Sequence, residues 1–254
     1  MSKSRFNSDQ VAIVTGAARG IGLGIATSLA EAGVSVAIFD RDPDALKIAV
    51  DSLKNQDLNV LGVPVDLTNG NEVTSAVATV FEWRNRVDFL VNNAGAVRDK
   101  RFLTMDEDDW DLVIDTNLRS QFLCCRAVLP SMSQRGFGRI VNISSRAWLG
   151  GVGQANYSAA KGGVISLTRS LALEFAAKGI TVNAIAPGIV DTPLFSNFKP
   201  EVQERLKNSV PARRIGKPED IAVAVEFFLD PAASYITGQT LYVCGGRSLS
   251  SPSV

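Results

Sequence analysis

Val11-Ala12-Ile13-Val14-Thr15-Gly16-Ala17-Ala18-Arg19-Gly20-Ile21-Gly22 decides the fold. Four apolar residues, three of them β-branched, run without alternation into a glycine-spaced turn, and helical periodicity follows over residues 20–32. A strand that is apolar on both faces belongs in a covered parallel sheet. Glycines in the turn let the backbone tighten and approach a pyrophosphate, whose charge then faces the N-terminus of the next helix. Strand, turn and helix stand in the order of a dinucleotide-binding unit, although Gly-x-x-x-Gly-x-Gly departs from the usual Gly-x-Gly-x-x-Gly. Gly16, Arg19, Gly20, Ile21 and Gly22 are the first candidate cofactor contacts.

The same alternation continues along the chain. Residues 34–39, 60–65, 87–91, 139–143, 180–186 and 241–243 read as further strands, with helical patterning over 43–53, 72–83, 110–134, 156–178 and 218–229. Most of the strands are apolar throughout. The pattern predicts an α/β fold, a single Rossmann-like domain over 1–254 whose doubly wound parallel sheet carries helices on both faces. No repeat, linker or composition shift divides it. Residues 191–211, with Pro193, Pro200 and Pro211, form the least regular stretch and read as a lid. The serine-rich tail 247–254 reads as loosely held.

Composition excludes several functions. With 26 Lys plus Arg against 26 Asp plus Glu, the chain has no general attraction for nucleic acid or an anionic membrane. No stretch of eighteen uncharged apolar residues and no apolar leader is present, and Cys124, Cys125 and Cys244 have no metal-ligand spacing. A reducing, cytoplasmic setting is expected, with no metal. The absence of histidine rules out a Ser-His-Asp triad and an HExxH zinc site. Acid–base chemistry must run through Tyr, Lys, Ser, Asn or a carboxylate.

Two further features carry chemistry. Asp40 closes the second strand, where a carboxylate can accept from an adenosine ribose and repel a 2′-phosphate, so NAD(H) is favoured over NADP(H). Arg19 and Arg41 oppose that preference, because either guanidinium can pair with a 2′-phosphate, and NADP(H) stays open. Tyr157 and Lys161 stand four residues apart, on one helical face, where the lysine charge would bear on the phenol oxygen. A free tyrosine has a pKa near ~10, each unit of depression takes about 1.4 kcal/mol, and a nearby cation can supply two or three units, so Tyr157 becomes a usable acid or base.

Taken together, the chain resembles the short-chain dehydrogenase/reductase family from about residue 11 to residue 246. The resemblance is carried by the turn from Thr15-Gly16 to Gly20-Ile21-Gly22, Asp66-Leu67, Asn92-Asn93-Ala94-Gly95, Asn117, Asn142-Ile143-Ser144-Ser145, Tyr157 with Lys161, and Pro187-Gly188. It implies that Asp66 contacts an adenine, with Leu67 beside it. It further implies that Asn93, Ala94 and Gly95 line the cofactor, that Pro187 and Gly188 border the nicotinamide, that Val190 and Thr192 also contact the cofactor, and that Lys161 also binds its ribose. It implies reversible hydride transfer between a nicotinamide and a secondary alcohol or ketone. Ser145 would hold the substrate oxygen, Tyr157 would exchange its proton, Lys161 would lower the tyrosine pKa, and Asn117 would hold a water. Counting from Asn142 selects Ser145, whereas counting thirteen residues back from Tyr157 selects Ser144. Strand register is less easily changed than loop length, so Ser145 is chosen.

The small-molecule substrate would meet Val97, Ser145, Ala147, Trp148, Tyr157 and Gly188, and Trp148 with Leu149 suggests an apolar or cyclic one. Gly153-Gln154-Ala155-Asn156-Tyr157 also resembles NADPH-dependent acyl-carrier-protein ketoreductases. A nucleotide-binding regulator without turnover is the alternative of a different class. Leu123, Leu129, Val164, Leu167, Leu171 and Phe175 place apolar groups around much of two long helices, and the resemblance implies a homotetramer or, less often, a dimer.

Overall fold

A computed structural model describes residues 5–196 and 198–249. Strands β1 (Val11–Thr15), β2 (Ser35–Asp40), β3 (Val60–Pro64), β4 (Phe89–Asn92), β5 (Gly138–Ile143), β6 (Ile180–Pro187) and β7 (Thr240–Val243) form one parallel sheet. Their order is β3-β2-β1-β4-β5-β6-β7. The chain winds outward from β1 in one direction and resumes from β4 in the other. That reversal leaves a crevice between the carboxyl ends of β1 and β4, where ligands bind in such sheets.

The helices are α1 (Gly20–Glu31), α2 (Pro43–Lys54), α3 (Gly70–Arg84), α4 (Glu107–Ile114), α5 (Ser120–Arg135), α6 (Ala155–Phe175), α7 (Pro193–Ser196), α8 (Pro200–Asn208) and α9 (Pro218–Leu229). Successive strand residues enter opposite cores. Ala12, Val14, Val36 and Ile38 pack with Ile25 and Leu29 of α1, Leu46 of α2 and Val225 of α9. Val11, Ile13, Ala37 and Phe39 pack with Val77 of α3, Val128 of α5 and Ala172 of α6. Both faces are covered, which is why the strands show no polar alternation. Each large side chain buried this way contributes about 1.5–3 kcal/mol before chain entropy is subtracted.

Caps explain where the helices begin. The Asn69 side chain accepts from Asn71 N, so α3 starts before the apolar pattern does. Asp42 accepts from Ala45 N with Pro43 at the first turn of α2, and Asp106 accepts from Asp109 N at the start of α4. The expected continuous helix over 110–134 is instead interrupted. Asp115–Arg119 form a π turn, in which Ser120 N reaches Asp115 O, while the Asn117 side chain takes the Val113 carbonyl at 2.9 Å.

The predicted lid holds α7 and α8. Its base is closed by the Val190–Gly216 bridge, with Asp191 N to Gly216 O at 2.8 Å. Of the expected loose tail, residues 250–254 lie outside the described residues. No helix among the described residues is long and apolar enough to cross a membrane.

Candidate active site

The glycine turn and the segment after β4 are stapled across the crevice. Thr15 Oγ1 accepts from Asn93 N at 2.9 Å and Ala94 N at 3.1 Å, while Asn93 Nδ2 donates to Thr15 O and Gly16 O. Gly16 has φ +61°, and a Cβ there would stand 2.7 Å from Ala94 Cα. Only glycine lets the two segments approach so closely. Helix α1 begins at Gly20 with no side-chain cap, which leaves its first N–H groups facing the crevice. Ile21 is half-buried against the core beneath the turn, and Thr192 leans over Gly20 from the start of the lid segment.

At the end of β2 the Asp40 carboxylate accepts from Ala18 N at 3.0 Å and Asp42 N at 3.1 Å. It is thereby fixed beside the turn. Arg19 is ion-paired with Asp42, and Arg41 is exposed. Asp66 is exposed after β3 and accepts from Thr68 N and Thr68 Oγ1. The Leu67 side chain points instead into the core below the sheet, so only its backbone can face a ligand. Val190 is likewise a core residue. Pro187 ends β6, and Gly188 N bonds Val243 O at 2.9 Å with Cys244 packed against it. A dinucleotide fits this set: a glycine cradle that a Cβ would fill, uncapped helix N–H groups, and a carboxylate held at the neighbouring strand end.

Four polar side chains converge beyond β4 and β5. Lys161, 2 % exposed on α6, donates to Ile143 O at 2.9 Å, and its ammonium lies 5.6 Å from the Tyr157 ring centroid. Asn117 Nδ2 donates to Ala96 O and Val113 O, leaving its buried Oδ1 without a partner among the described residues. A Cβ on Gly95 would stand 2.7 Å from that Oδ1 and 3.6 Å from Lys161 Nζ, so both atoms overlook Gly95. Ser145 follows β5 at the start of the 3-10 turn Arg146–Leu149, accepts from Ala147 N at 3.1 Å, and interacts with Tyr157. Ser144 turns away. It is buried and donates to Lys161 O at 2.8 Å.

One electrostatic expectation is corrected. Burial around the phenol raises the Tyr157 pKa; Ser145 opposes this and Asp99 adds to it, and Lys161 is not among the causes. The lysine's hydrogen bond goes to the Ile143 carbonyl, with the ammonium 5.6 Å from the ring centroid. Burial also pulls Lys161 itself down to about 7, so its charge is only partly held at neutrality.

Towards the substrate side, Val97 lies in the segment after β4, and Ala147 and Trp148 lie in the 3-10 turn. Trp148 stacks on Tyr242 with centroids 6.5 Å apart and planes inclined by 28°. Sequence reading missed Tyr242, which belongs to a short strand. It also missed Asn156, whose Oδ1 accepts from Tyr157 N while Nδ2 ties down the carbonyls of Arg98 and Asp109. A buried asparagine at a helix start is the signal that could have found it.

A family model described as enoyl-(acyl carrier protein) reductase matches residues 16–248. The chain belongs to the short-chain dehydrogenase/reductase family. It is 43 % identical over 241 residues to the (2S)-[(R)-hydroxy(phenyl)methyl]succinyl-CoA dehydrogenase subunit BbsD of Thauera aromatica, covering 95 % of this chain and 97 % of that protein. It is 43 % identical over 240 residues to the 3-oxoacyl-[acyl-carrier-protein] reductase of a Synechocystis strain, covering 93 % and 96 %. A variant of the actinorhodin polyketide ketoreductase, solved with NADPH, superposes with a TM-score of 0.91 at 37 % identity over 95 % of this chain and 98 % of that one. This short-chain dehydrogenase/reductase is a nicotinamide-dependent oxidoreductase acting on an alcohol or ketone group. A purely regulatory nucleotide binder is not the reading its relatives support.

Proposed function

We propose that the protein catalyses reversible hydride transfer between NAD(H) and a secondary alcohol or ketone, with Ser145, Tyr157, Lys161 and Asn117 as the catalytic set. The observation that carries this is the convergence of Ser145 with Tyr157, and of the Lys161 ammonium with the unpartnered Asn117 Oδ1, above Gly95. A bound nicotinamide supplies or accepts the hydride. Ser145 orients the substrate oxygen, Tyr157 gives or takes its proton, and Lys161 holds positive charge beneath the phenol. Asn117 Oδ1 is placed to accept from a water, which leads protons outward.

Gly16, Arg19, Gly20, Ile21, Gly22, Asp40, Asn93, Ala94, Gly95, Pro187, Gly188 and Thr192 hold the cofactor, with Asp66 and the backbone of Leu67 at the adenine end. Asp40 supports NAD(H), because its carboxylate stands beside the turn while the Arg19 guanidinium is already paired with Asp42. Arg41 and the carrier-protein reductase relative favour the second reading, an NADPH-dependent 3-oxoacyl ketoreductase. The stacked Trp148 and Tyr242 support a substrate with an apolar or cyclic part, covered by the α7–α8 segment.

A homotetramer in the cytoplasm completes the proposal. Leu123 and Val164 are buried within the subunit and contribute nothing to a partner surface. Phe122, Leu129, Leu167, Leu171 and Phe175 line an open groove between α5 and α6, and this supports subunit packing. The test of the catalytic set is Tyr157→Phe in an alcohol-oxidation assay with NAD⁺. Turnover should fall by about 10²–10⁴-fold with cofactor affinity retained. Near-normal turnover refutes the assignment.

A further inference from the structure

Helix α5 presents three polar side chains at four-residue intervals toward the ends of β4 and β5, counting from the π turn: Asn117, Gln121 and Cys125. Asn117 belongs to the proposed catalytic set, and Cys125 Sγ meets Asn92 Nδ2 at 3.3 Å. Gln121 has no role there. It is 1 % exposed, on a helix whose buried residues include Leu123, Val128, Leu129 and Met132 alongside Ser120, Cys124 and Cys125. A primary amide in such a place is costly unless hydrogen bonds hold it.

Gln121 Nε2 donates to Ile143 O at 3.4 Å, and its Oε1 is buried without a partner among the described residues. The same Ile143 carbonyl receives Lys161 Nζ at 2.9 Å. One carbonyl oxygen at the end of β5 therefore joins the two side chains. Gly95, which presents no side chain, also lies close to the lysine: a Cβ there would stand 3.6 Å from Nζ.

We infer that Gln121 is a positioning residue for Lys161: through the shared Ile143 carbonyl it fixes where the ammonium sits and how readily it keeps its proton. The inference rests on Lys161 acting as proposed above. Few charges compete with it. On the lysine's own helix Tyr157 lies one turn away, while Arg169 and Glu174 follow two or more turns further on; α5 offers Cys125 one turn beyond Gln121, and the end of β5 offers Ser144, Ser145 and backbone. Asp99, which acts on Tyr157, is the acidic group in the segment after β4. Burial is the cause of the lysine's lowered pKa, with no charged partner contributing, so one dipole or charge added or removed beside it should be felt.

The experiment compares Gln121→Glu and the nearly isosteric Gln121→Met in the full-length enzyme, reading the pH profile of kcat and separately the KM for cofactor. Gln121→Glu places a carboxylate beside the shared carbonyl and should move the alkaline limb up by about one pH unit; Gln121→Met removes the Nε2 donor that competes with the ammonium for that carbonyl and should move it up by about half a unit. Thermal melts of both variants check folding. If either variant does not fold, the shift of the other decides. Upward displacements in the folded variants support the inference. Profiles coincident with the parent protein, or displaced downward, overturn it. Lys161→Met separates this from the underlying reading: if that variant turns over normally, the lysine's proposed role fails whatever Gln121 does.

Discussion

Replacing Gly22 by alanine adds one methyl group where the structure has no room. A Cβ built there overlaps the Gly16 carbonyl oxygen and stands 2.5 Å from Asn93 Nδ2 and 2.8 Å from Ala17 Cα. None of these can yield easily. Gly16 is held at φ +61° against Ala94, and Asn93 Nδ2 is committed to Thr15 O at 2.9 Å and Gly16 O at 3.0 Å. Displacing Asn93 removes two hydrogen bonds at about 1 kcal/mol each. Forcing the methyl into the turn adds about 1–3 kcal/mol of strain. The loss should total about 3–5 kcal/mol, divided between unfolding free energy and cofactor affinity. Gly162→Ala is the matched control, since a Cβ there meets nothing within 4 Å and the residue lies inside α6. That change should stabilise by about 0.5–1 kcal/mol. Urea unfolding and NADH titration of both variants check the pair. A Gly22→Ala protein that unfolds and binds like the parent refutes the packing of the turn, and with it the site built on that turn.

Three other outcomes are expected. Asp40→Ser removes the charge that faces a 2′-phosphate and should lower the NADH-to-NADPH affinity ratio at least tenfold, a change of about 1.4 kcal/mol, by fluorescence titration; an unchanged ratio means that Asp40 does not read the ribose. Lys161 is protonated in both folded and unfolded chains below pH 7, and between about 7 and its ordinary value of 10.5 the unfolded chain binds more protons, so its burial penalty is relieved as pH rises. Relative to Lys161→Met, the parent should gain stability by up to about 1.4 kcal/mol per pH unit between pH 7 and 9, and a parallel pair of curves contradicts the burial. Asp88, fully buried at the opposite end of the sheet, accepts from Val11 N at 2.9 Å and from two Arg86 nitrogens at 2.8 Å, so Asp88→Ala should cost about 3–5 kcal/mol in urea unfolding while leaving kcat per folded molecule unchanged.

The strands were legible because both faces of each are covered, so β-branched runs such as 11–14 and 180–186 stand out without alternation. Helix starts were less so. An apolar pattern reports the buried face, whereas α3 begins where Asn69 caps it, two residues before Glu72 opens that pattern. The π turn was invisible for a stronger reason. Residues 110–134 keep a helical period throughout, and the interruption arises from a tertiary bond, Asn117 Nδ2 to Ala96 O at 2.8 Å, together with the bond to Val113 O.

Within the site, covalent order carried some information and spatial order the rest. Register from Asn142 places Ser145 toward Tyr157 because β5 is locked to β4 and β6 at that residue, by Asn92 on one side and Ala184 on the other. No such constraint fixes how a charge bears on a neighbour. A four-residue spacing says that Tyr157 and Lys161 share a face, but the lysine's long stem lets the ammonium choose its acceptor, and it takes the Ile143 carbonyl. The ammonium and the phenol therefore share a helical face without sharing a hydrogen bond, and burial acts on each separately: up for the tyrosine, down for the lysine. Both shifts favour the neutral forms. In the proposed mechanism the phenol parts with its proton near neutrality and needs the lysine to be charged, and a lysine drawn down to about 7 by burial responds to the dipoles immediately around it. On that proposal, proton transfer depends on the lining of the lysine pocket, with Ile143 O and Gln121 in it, as well as on the Tyr-x-x-x-Lys spacing that first draws attention to the site.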